Sequence, residues 1–458
     1  MATSESVQYA GEYKLEECTI KSSTGARARL DSTVIEINIF ENIYSQGIIV
    51  SLVVTDLENL IMNLPIVGQE FVELKLSTPG LGSINFIDHV LTVHKVTSRT
   101  DLTSGSQLYE LNLVTPESLR NQRIRLQKSF SGRVSDIVST ILKDEDGIDT
   151  RRNIVIDETS ENKKFVAPNM RPFDFIVSLS KQCTSSKYNG SPNYFFYETT
   201  RGYQFRVIDS LYDDIPKGKF ISNESDMNVE TPSKSGNFQK DYERIKSFSF
   251  NNSNDTLIST RGGLLSSRLI KYNILNKNYT VHNFNYFNNF NDTARIDKNP
   301  IYNKAPIDLT GNTIGDFNFA RTQLCPTSNN DGQDGRYEST EYTDNQSDIC
   351  ILPRRSKILE LQNGLSMSLK VHGYCDLSVG NKVVVTIPVT GNDQGGEKPI
   401  EEYYSGEFLI TELKHSFMQD TRNHNITMNI VKDSSAFEFK NVFGGEEPRG
   451  KKGSLSII

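Results

Sequence analysis

Apolar and polar residues alternate in register over most of both ends of the chain. Ile35, Ile37 and Ile39 fall on one side of a two-residue period, with Glu36 and Asn38 on the other. Ile48, Val50, Leu52 and Val54 share a face, as do Val72, Leu74 and Leu76. Near the other end Met367, Leu369 and Val371 do the same, followed by Val383, Val385 and Ile387, then Ile426, Met428 and Ile430. Successive side chains of a strand point to opposite faces, so these stretches predict strands with one buried face. Such strands close as a barrel or stack as a sandwich. Ile48, Val50, Leu52, Val54, Val383, Val385 and Ile387 are the predicted barrel core. The polar links Arg99–Ser106 and Met418–His424 read as hairpin loops.

The two stretches repeat one another. Ile48–Asp56 matches Leu365–Gly373, Gly68–Leu76 matches Gly380–Pro388, Val90–Ser98 matches Phe408–Ser416, and Tyr109–Val114 matches Ile426–Val431. The four pairs keep one order with similar gaps, which predicts two copies of one β-rich domain.

Between the copies the period changes. Val134, Ile137, Val138, Ile141 and Leu142 recur at helical spacing, as do Phe175, Ile176 and Leu179 after Pro172. Tyr194–Glu198 and Tyr203–Ile208 flank Thr199-Thr200-Arg201-Gly202 and read as a hairpin. The expected fold is therefore mainly β with an α/β insert. Residues 1–118 form a first barrel and 119–240 the insert. Residues 241–437 form a second barrel, interrupted by a loop-rich insertion at about 299–351 that is dense in Asn, Asp, Gly and Ser. Residues 438–458 form a flexible tail. Tyr242–Phe250 and Leu264–Phe287 are strand-like text that begins the second barrel.

Composition narrows the function. With 458 residues and a formal charge of −7, the chain is long enough for several domains and too acidic overall for a phosphate-reading surface. Cys18, Cys183, Cys325, Cys350 and Cys375 are scattered without a CxxC pair, which predicts five reduced thiols in a protein assembled in a cytoplasm. Met1–Tyr13 is polar and carries no leader-like apolar core, and no apolar run is long enough for a membrane helix, so no stable membrane binding is expected.

No catalytic pattern stands out. Gly262-Gly263 lacks the Lys-Ser/Thr of a phosphate loop, and no GxSxG turn occurs. His372-Gly-Tyr-Cys375 has no second ligand pair at zinc spacing, and His94 and His415 stand as single imidazoles at strand ends. Asp213-Asp214 and Glu446-Glu447 read as solvated surface pairs, the alternative being the two carboxylates of a glycoside hydrolase. Tyr279–Phe290 alternates aromatics with Asn; a contact surface or sheet strand fits better than a base-stacking platform, because only His282 supplies possible positive charge. No catalytic residue, cofactor or metal is expected.

The order barrel, α/β insert, barrel resembles the baseplate hub proteins of contractile-tailed phages and, more distantly, the N-terminal half of VgrG spikes of type VI secretion systems. The likeness rests on Leu369-Lys-Val-His-Gly373 with Leu377-Ser-Val-Gly-Asn-Lys-Val383, and on Arg171-Pro-Phe-Asp-Phe-Ile176 with Phe195-Phe-Tyr-Glu198 and Gly202-Tyr-Gln-Phe205. It implies two tube-protein-like barrels per chain, forming a pseudo-hexameric ring in a homotrimer. Such a virion protein joins a trimeric central spike to the hexameric tail tube or a tube-initiator protein and contacts other baseplate proteins. It surrounds the channel taken by tape-measure protein and, in passage only, DNA during genome ejection. Because the chain ends soon after the second barrel, the spike is expected as a separate chain. The implied location is the virion tail baseplate, assembled in the host bacterial cytoplasm. The alternatives are a tail-associated cell-wall hydrolase, or the hub of a related bacterial injection or secretion system.

Overall fold

A computed structural model describes residues 9–22, 24–57, 60, 64, 66–102, 105–160, 162–222, 238–252, 255–274, 277–316, 321–327, 350–389 and 400–438. The tail from 439, including Glu446-Glu447, and much of the 299–351 insertion lie outside these residues.

In the first half, strands β1 (Lys14–Lys21), β2 (Arg27–Arg29), β3 (Val34–Asn42), β4 (Ile49–Asp56), β5 (Phe71–Ser77), β6 (Ser83–Asn85), β7 (Leu91–Asp101) and β8 (Gln107–Val114) are followed by helix α1 (Pro116–Arg123). The middle contains β9 (Ser129–Arg133), α2 (Val134–Lys143), β10 (Ile154–Ile156), β11 (Asn162–Val166), α3 (Pro172–Ser180), β12 (Tyr194–Thr199), β13 (Gly202–Val207) and α4 (Ile208–Asp213). Then come β14 (Gly218–Ile221), α5 (Phe238–Tyr242), β15 (Ile245–Asn252), α6 (Thr256–Gly262), β16 (Ser266–Asn273), β17 (Asn278–Asn285), β18 (Asn299–Pro300) and β19 (Thr322–Thr327). The last elements are α7 (Ile351–Asn363), β20 (Leu365–His372), β21 (Lys382–Thr386), β22 (Gly406–Met418), β23 (Asn423–Lys432) and β24 (Ser434–Ser435).

One 14-stranded sheet runs through both halves. Its first part pairs β3-β4-β8-β7-β5, and its second pairs β15-β20-β23-β22-β21. The repeated sequence segments thus occupy the same places in one pairing order. The next strand differs: β1 joins β5 antiparallel, whereas β14 joins β21 in parallel. The halves meet where β22 pairs with β3, from Glu412 opposite Asn42 to Met418 opposite Glu36.

Each half has its own apolar core on one face of this sheet. Ile48, Val50, Leu52, Val54, Val72 and Leu74 lie in the first; Met367, Leu369, Val383, Val385, Ile387 and Met428 lie in the second. Burying each such side chain contributes roughly 1.5–3 kcal/mol. Ile35 departs from the expected alternation. The β3–β4 register slips between Val34 and Glu36, and Ile35 turns out to 38% exposure while Ile37 and Ile39 stay buried.

The middle segment forms a third core under α2 and α3 and the mixed sheet β10-β13-β12. β12 is buried along its whole length because its alternate residues serve two cores: Tyr194 and Phe196 face the third, Phe195 and Tyr197 the second. The β12–β13 turn needs Gly202, whose φ is +127° and whose added Cβ would sit 2.1 Å from the Asn153 carbonyl oxygen.

Residues 264–287 do not extend the large sheet. β16 and β17 join β19 in a separate three-stranded sheet over a small fourth core. Phe284, Tyr286 and Phe290 of the aromatic stretch fill that core, while Tyr279 is 69% exposed. The alternating pattern specified strands there, but not their partners.

Candidate functional site

The face of the large sheet opposite the two cores is continuous across both halves and mostly polar, with Phe40, Ile49, Val53 and Met418 among its apolar members. In one row Lys95, Asn112, Ser51, Asn38, Ser416 and Asn425 stand directly opposite one another from β7 to β23. A second row runs Asn42, Glu412, Asn429, Ser368 and Ser249. A third carries Ile49, Phe40, Lys414, Thr427 and Lys370, with Phe40 and Ile49 at 40% and 47% exposure.

Charge on this face is interleaved and held down by amides. Glu412 accepts from the side chains of Asn42 (2.8 Å) and Asn429 (2.6 Å), one from each side of the β3–β22 seam. Glu36 accepts from Asn38 at 2.9 Å and from the Ser416 hydroxyl at 3.3 Å. Lys414 lies 5.5 Å above the Phe40 ring, and Lys246 donates to Asn425. The result is a broad sheet face of short hydrogen-bonding groups, Asn38 and Ser51 lying lowest at 7% and 4% exposure. On it Lys95, Lys246, Lys370 and Lys414 are set against Glu36, Glu110 and Glu412.

Buried polar joints fix the modules behind this face. Glu41 accepts from the backbone N–H of Thr200 (2.6 Å) and of Val379 (2.9 Å), tying β3 to the insert hairpin and to the second half; burial pushes its carboxyl up. Glu198 accepts from the Ile48 N–H (3.0 Å) and the Thr115 hydroxyl (3.1 Å) and pairs with Arg152. Burial raises Glu198 to about 7 against the opposing pull of Arg152. Arg354 of α7 donates to the carbonyls of Pro192 (2.6 Å) and Tyr194 (2.8 Å).

A fourth joint gathers Arg295, Lys357, Glu360 and Asp433. Arg295 pairs with Glu360, and Lys357 with Asp433, all at most 9% exposed. Burial pushes Lys357 down and Glu360 up; Asp433, raised by burial, is pulled back by Lys357 and Arg295 to about 2.

At the seam His415 and His424 share one 3.0 Å contact, Nδ1 to Nε2, and His424 stacks 3.9 Å from Phe417. Gly11 accepts from the His424 N–H at 2.7 Å, and the Tyr13 ring meets Phe417 at 5.0 Å, so the start of the first half straps the β22–β23 hairpin.

His94 is exposed and apart from this pair, and Asp214 pairs with Arg206. Cys375 takes a bond from the Thr78 hydroxyl at 3.3 Å, and none of the five cysteines is in a disulfide. Among the described residues no group of three or more His, Cys, Asp and Glu gathers as a metal site, and no helix is long and apolar enough to cross a membrane.

Sequence reasoning found the strands that build the polar face but missed every joint. A signal existed for two of them. Glu198 ends the run Tyr-Phe-Phe-Tyr, and Lys432-Asp433 closes an apolar strand; a charge in such text needs a buried partner.

No family model and no curated protein matches the chain. Among solved structures it is similar to the tail protein of Neisseria meningitidis MC58, at 10% identity and a TM-score of 0.51, over 92% of this chain and 97% of that one. The chain thus has a tail-protein fold. The 43 kDa tail protein of prophage MuSo2 from Shewanella oneidensis aligns at 9% identity over 92% of this chain and 99% of its own, with a TM-score of 0.49. An E. coli component of the type VI secretion system aligns at 11% identity over 94% and 79%, with a TM-score of 0.45.

Proposed function

We propose that the chain is the structural baseplate hub of a contractile phage tail. Three copies form a ring of six similar β units, joining a trimeric spike to the six-fold tail tube and contacting other baseplate proteins. The observation that carries this reading is the polar, charge-balanced face shared by two units of the same pairing order. Three chains present six such units, which reconciles three-fold with six-fold symmetry. Turned toward the ring axis, that face lines the channel for tape-measure protein and DNA. Short amides and hydroxyls wet the wall, and the balanced charge gives phosphates no run of cations to displace their counterions.

The buried joints support a structural role over a hydrolytic one. Glu41, Glu198 and Glu360 are each fully buried inside contacts between modules, whereas general acid–base chemistry needs its carboxylates within reach of substrate. The proposed location is the tail baseplate, assembled in the host cytoplasm. Light scattering on the purified chain tests the reading: a mass three times that of one chain is expected. A monomer or dimer that persists at high concentration sinks the ring.

A further inference from the structure

We propose that Lys357 and Asp433 form an intramolecular isopeptide bond, with Glu360 as the proton carrier. The inference does not depend on the hub reading.

The three side chains arrive from two elements and meet out of water. Lys357 and Glu360 sit one turn apart on α7, which puts them on one face of the helix, and Asp433 follows β23. Their side chains are 2%, 0% and 0% exposed. Lys357 Nζ contacts Asp433 Oδ2 and lies 3.9 Å from Glu360 Oε2. The other oxygen, Asp433 Oδ1, accepts from the Ile296 N–H at 3.2 Å and the Ser434 hydroxyl at 2.7 Å. Those donors are placed to hold the negative charge that grows on Oδ1 when a nucleophile adds to Cγ. Glu360 Oε2, 3.9 Å from Nζ and held in place by Arg295, is the oxygen positioned to carry the proton.

The step balances without a further reagent. Within the ion pair the Lys357 ammonium gives one proton to Asp433 Oδ2. Burial and the neighbouring Arg295 both push the ammonium toward giving it up, while Arg295, 3.7 Å from Oδ2, opposes protonation of the carboxylate. The neutral pair is therefore a minor state from which the slow step proceeds. The free amine adds to Cγ. Glu360 takes a proton from the nitrogen and delivers it to Oδ2, the Cγ–Oδ2 bond breaks, and one water departs. Lys357 lines a cavity of about 160 Å³ that can receive that water. The amide N–H keeps the Ala294 carbonyl, now 3.0 Å from Nζ, as its acceptor. Arg295 and Glu360 remain as a balanced pair in place of a four-charge cluster.

Intact-mass spectrometry of the denatured full chain tests this. The expected mass is lighter than the sequence mass by one water, with tandem spectra joining the peptides that hold Lys357 and Asp433. Glu360→Gln is expected to restore the full sequence mass. A wild-type chain at full sequence mass overturns the proposal, and so does a water loss mapped to any other residues.

Discussion

Single residues carry this fold in two ways, by filling a core or by satisfying a buried polar group. Leu52 is fully buried in the first core, and Leu52→Ala should lower unfolding free energy by ~2–5 kcal/mol in a denaturant titration. Its place was legible because strand alternation is local. Ile35 was not, since a slip of register with β4 decides which way it points. The histidine pair was equally hidden: His415 and His424 are nine apart in sequence and meet only through the β22–β23 hairpin. Burial holds His415 at about 3, well under its ordinary 6.5. The unfolded chain therefore takes up this proton as pH falls below 6.5 and the folded chain does not. The stabilisation is complete above about 6.5 and is lost progressively as pH falls toward 3, at ~1.4 kcal/mol per pH unit per histidine. Glu198 works in the opposite sense: raised from 4.5 to about 7, it favours folding most below 4.5 and loses that contribution as pH rises through 7. The buried carboxyls Glu41, Glu198 and Glu360 pull the other way in any variant, so the difference is the readout. Between pH 7 and pH 5 the urea midpoint of a His415→Asn, His424→Asn double variant should change with a less positive slope in pH than that of the parent chain. An unchanged slope would refute the buried-pair account.

At the level of elements, the sequence pattern named most strands and the order of the repeat but not the partners that join the halves. β22 is hydrogen-bonded on both sides, to β23 and to β3. Ser416 sits midway along the β3 seam, so Ser416→Pro removes a ladder donor where no edge can absorb the loss. That variant should accumulate as insoluble protein, whereas Ser416→Thr, which suits a strand, should stay soluble. The β16–β17 pair teaches the complementary point. Its residues read as strand, yet it forms a sheet of its own, because strand-like sequence is silent about which neighbour will pair with it. The polar joints escaped for a similar reason, being contacts between residues such as Glu41 and Val379 that are 338 positions apart.

For the whole molecule, the balanced face makes a prediction about traffic. Asn112→Lys, Ser416→Lys and Asn425→Lys, at partly exposed positions, add three cations to one row across the seam. The triple variant should retain duplex DNA in a filter assay, with log affinity falling against log salt by ~0.9 for each phosphate engaged. The unmodified protein should retain none at ~0.15 M salt; tight binding by it would refute a neutral channel wall. The seam also has a consequence for how the chain is made. Asn42 and its partner Glu412 are 370 residues apart, so β3 leaves the ribosome long before β22 exists. At ~5–20 residues per second, that interval lasts roughly 20–70 s. Throughout it, the nascent first half offers an unpaired strand edge, a template on which neighbouring nascent chains can pair. Chains stalled or truncated before residue 406 should therefore aggregate unless a chaperone shields β3. A β22–β23 peptide supplied in trans should suppress that aggregation, which sedimentation of the truncated product can measure.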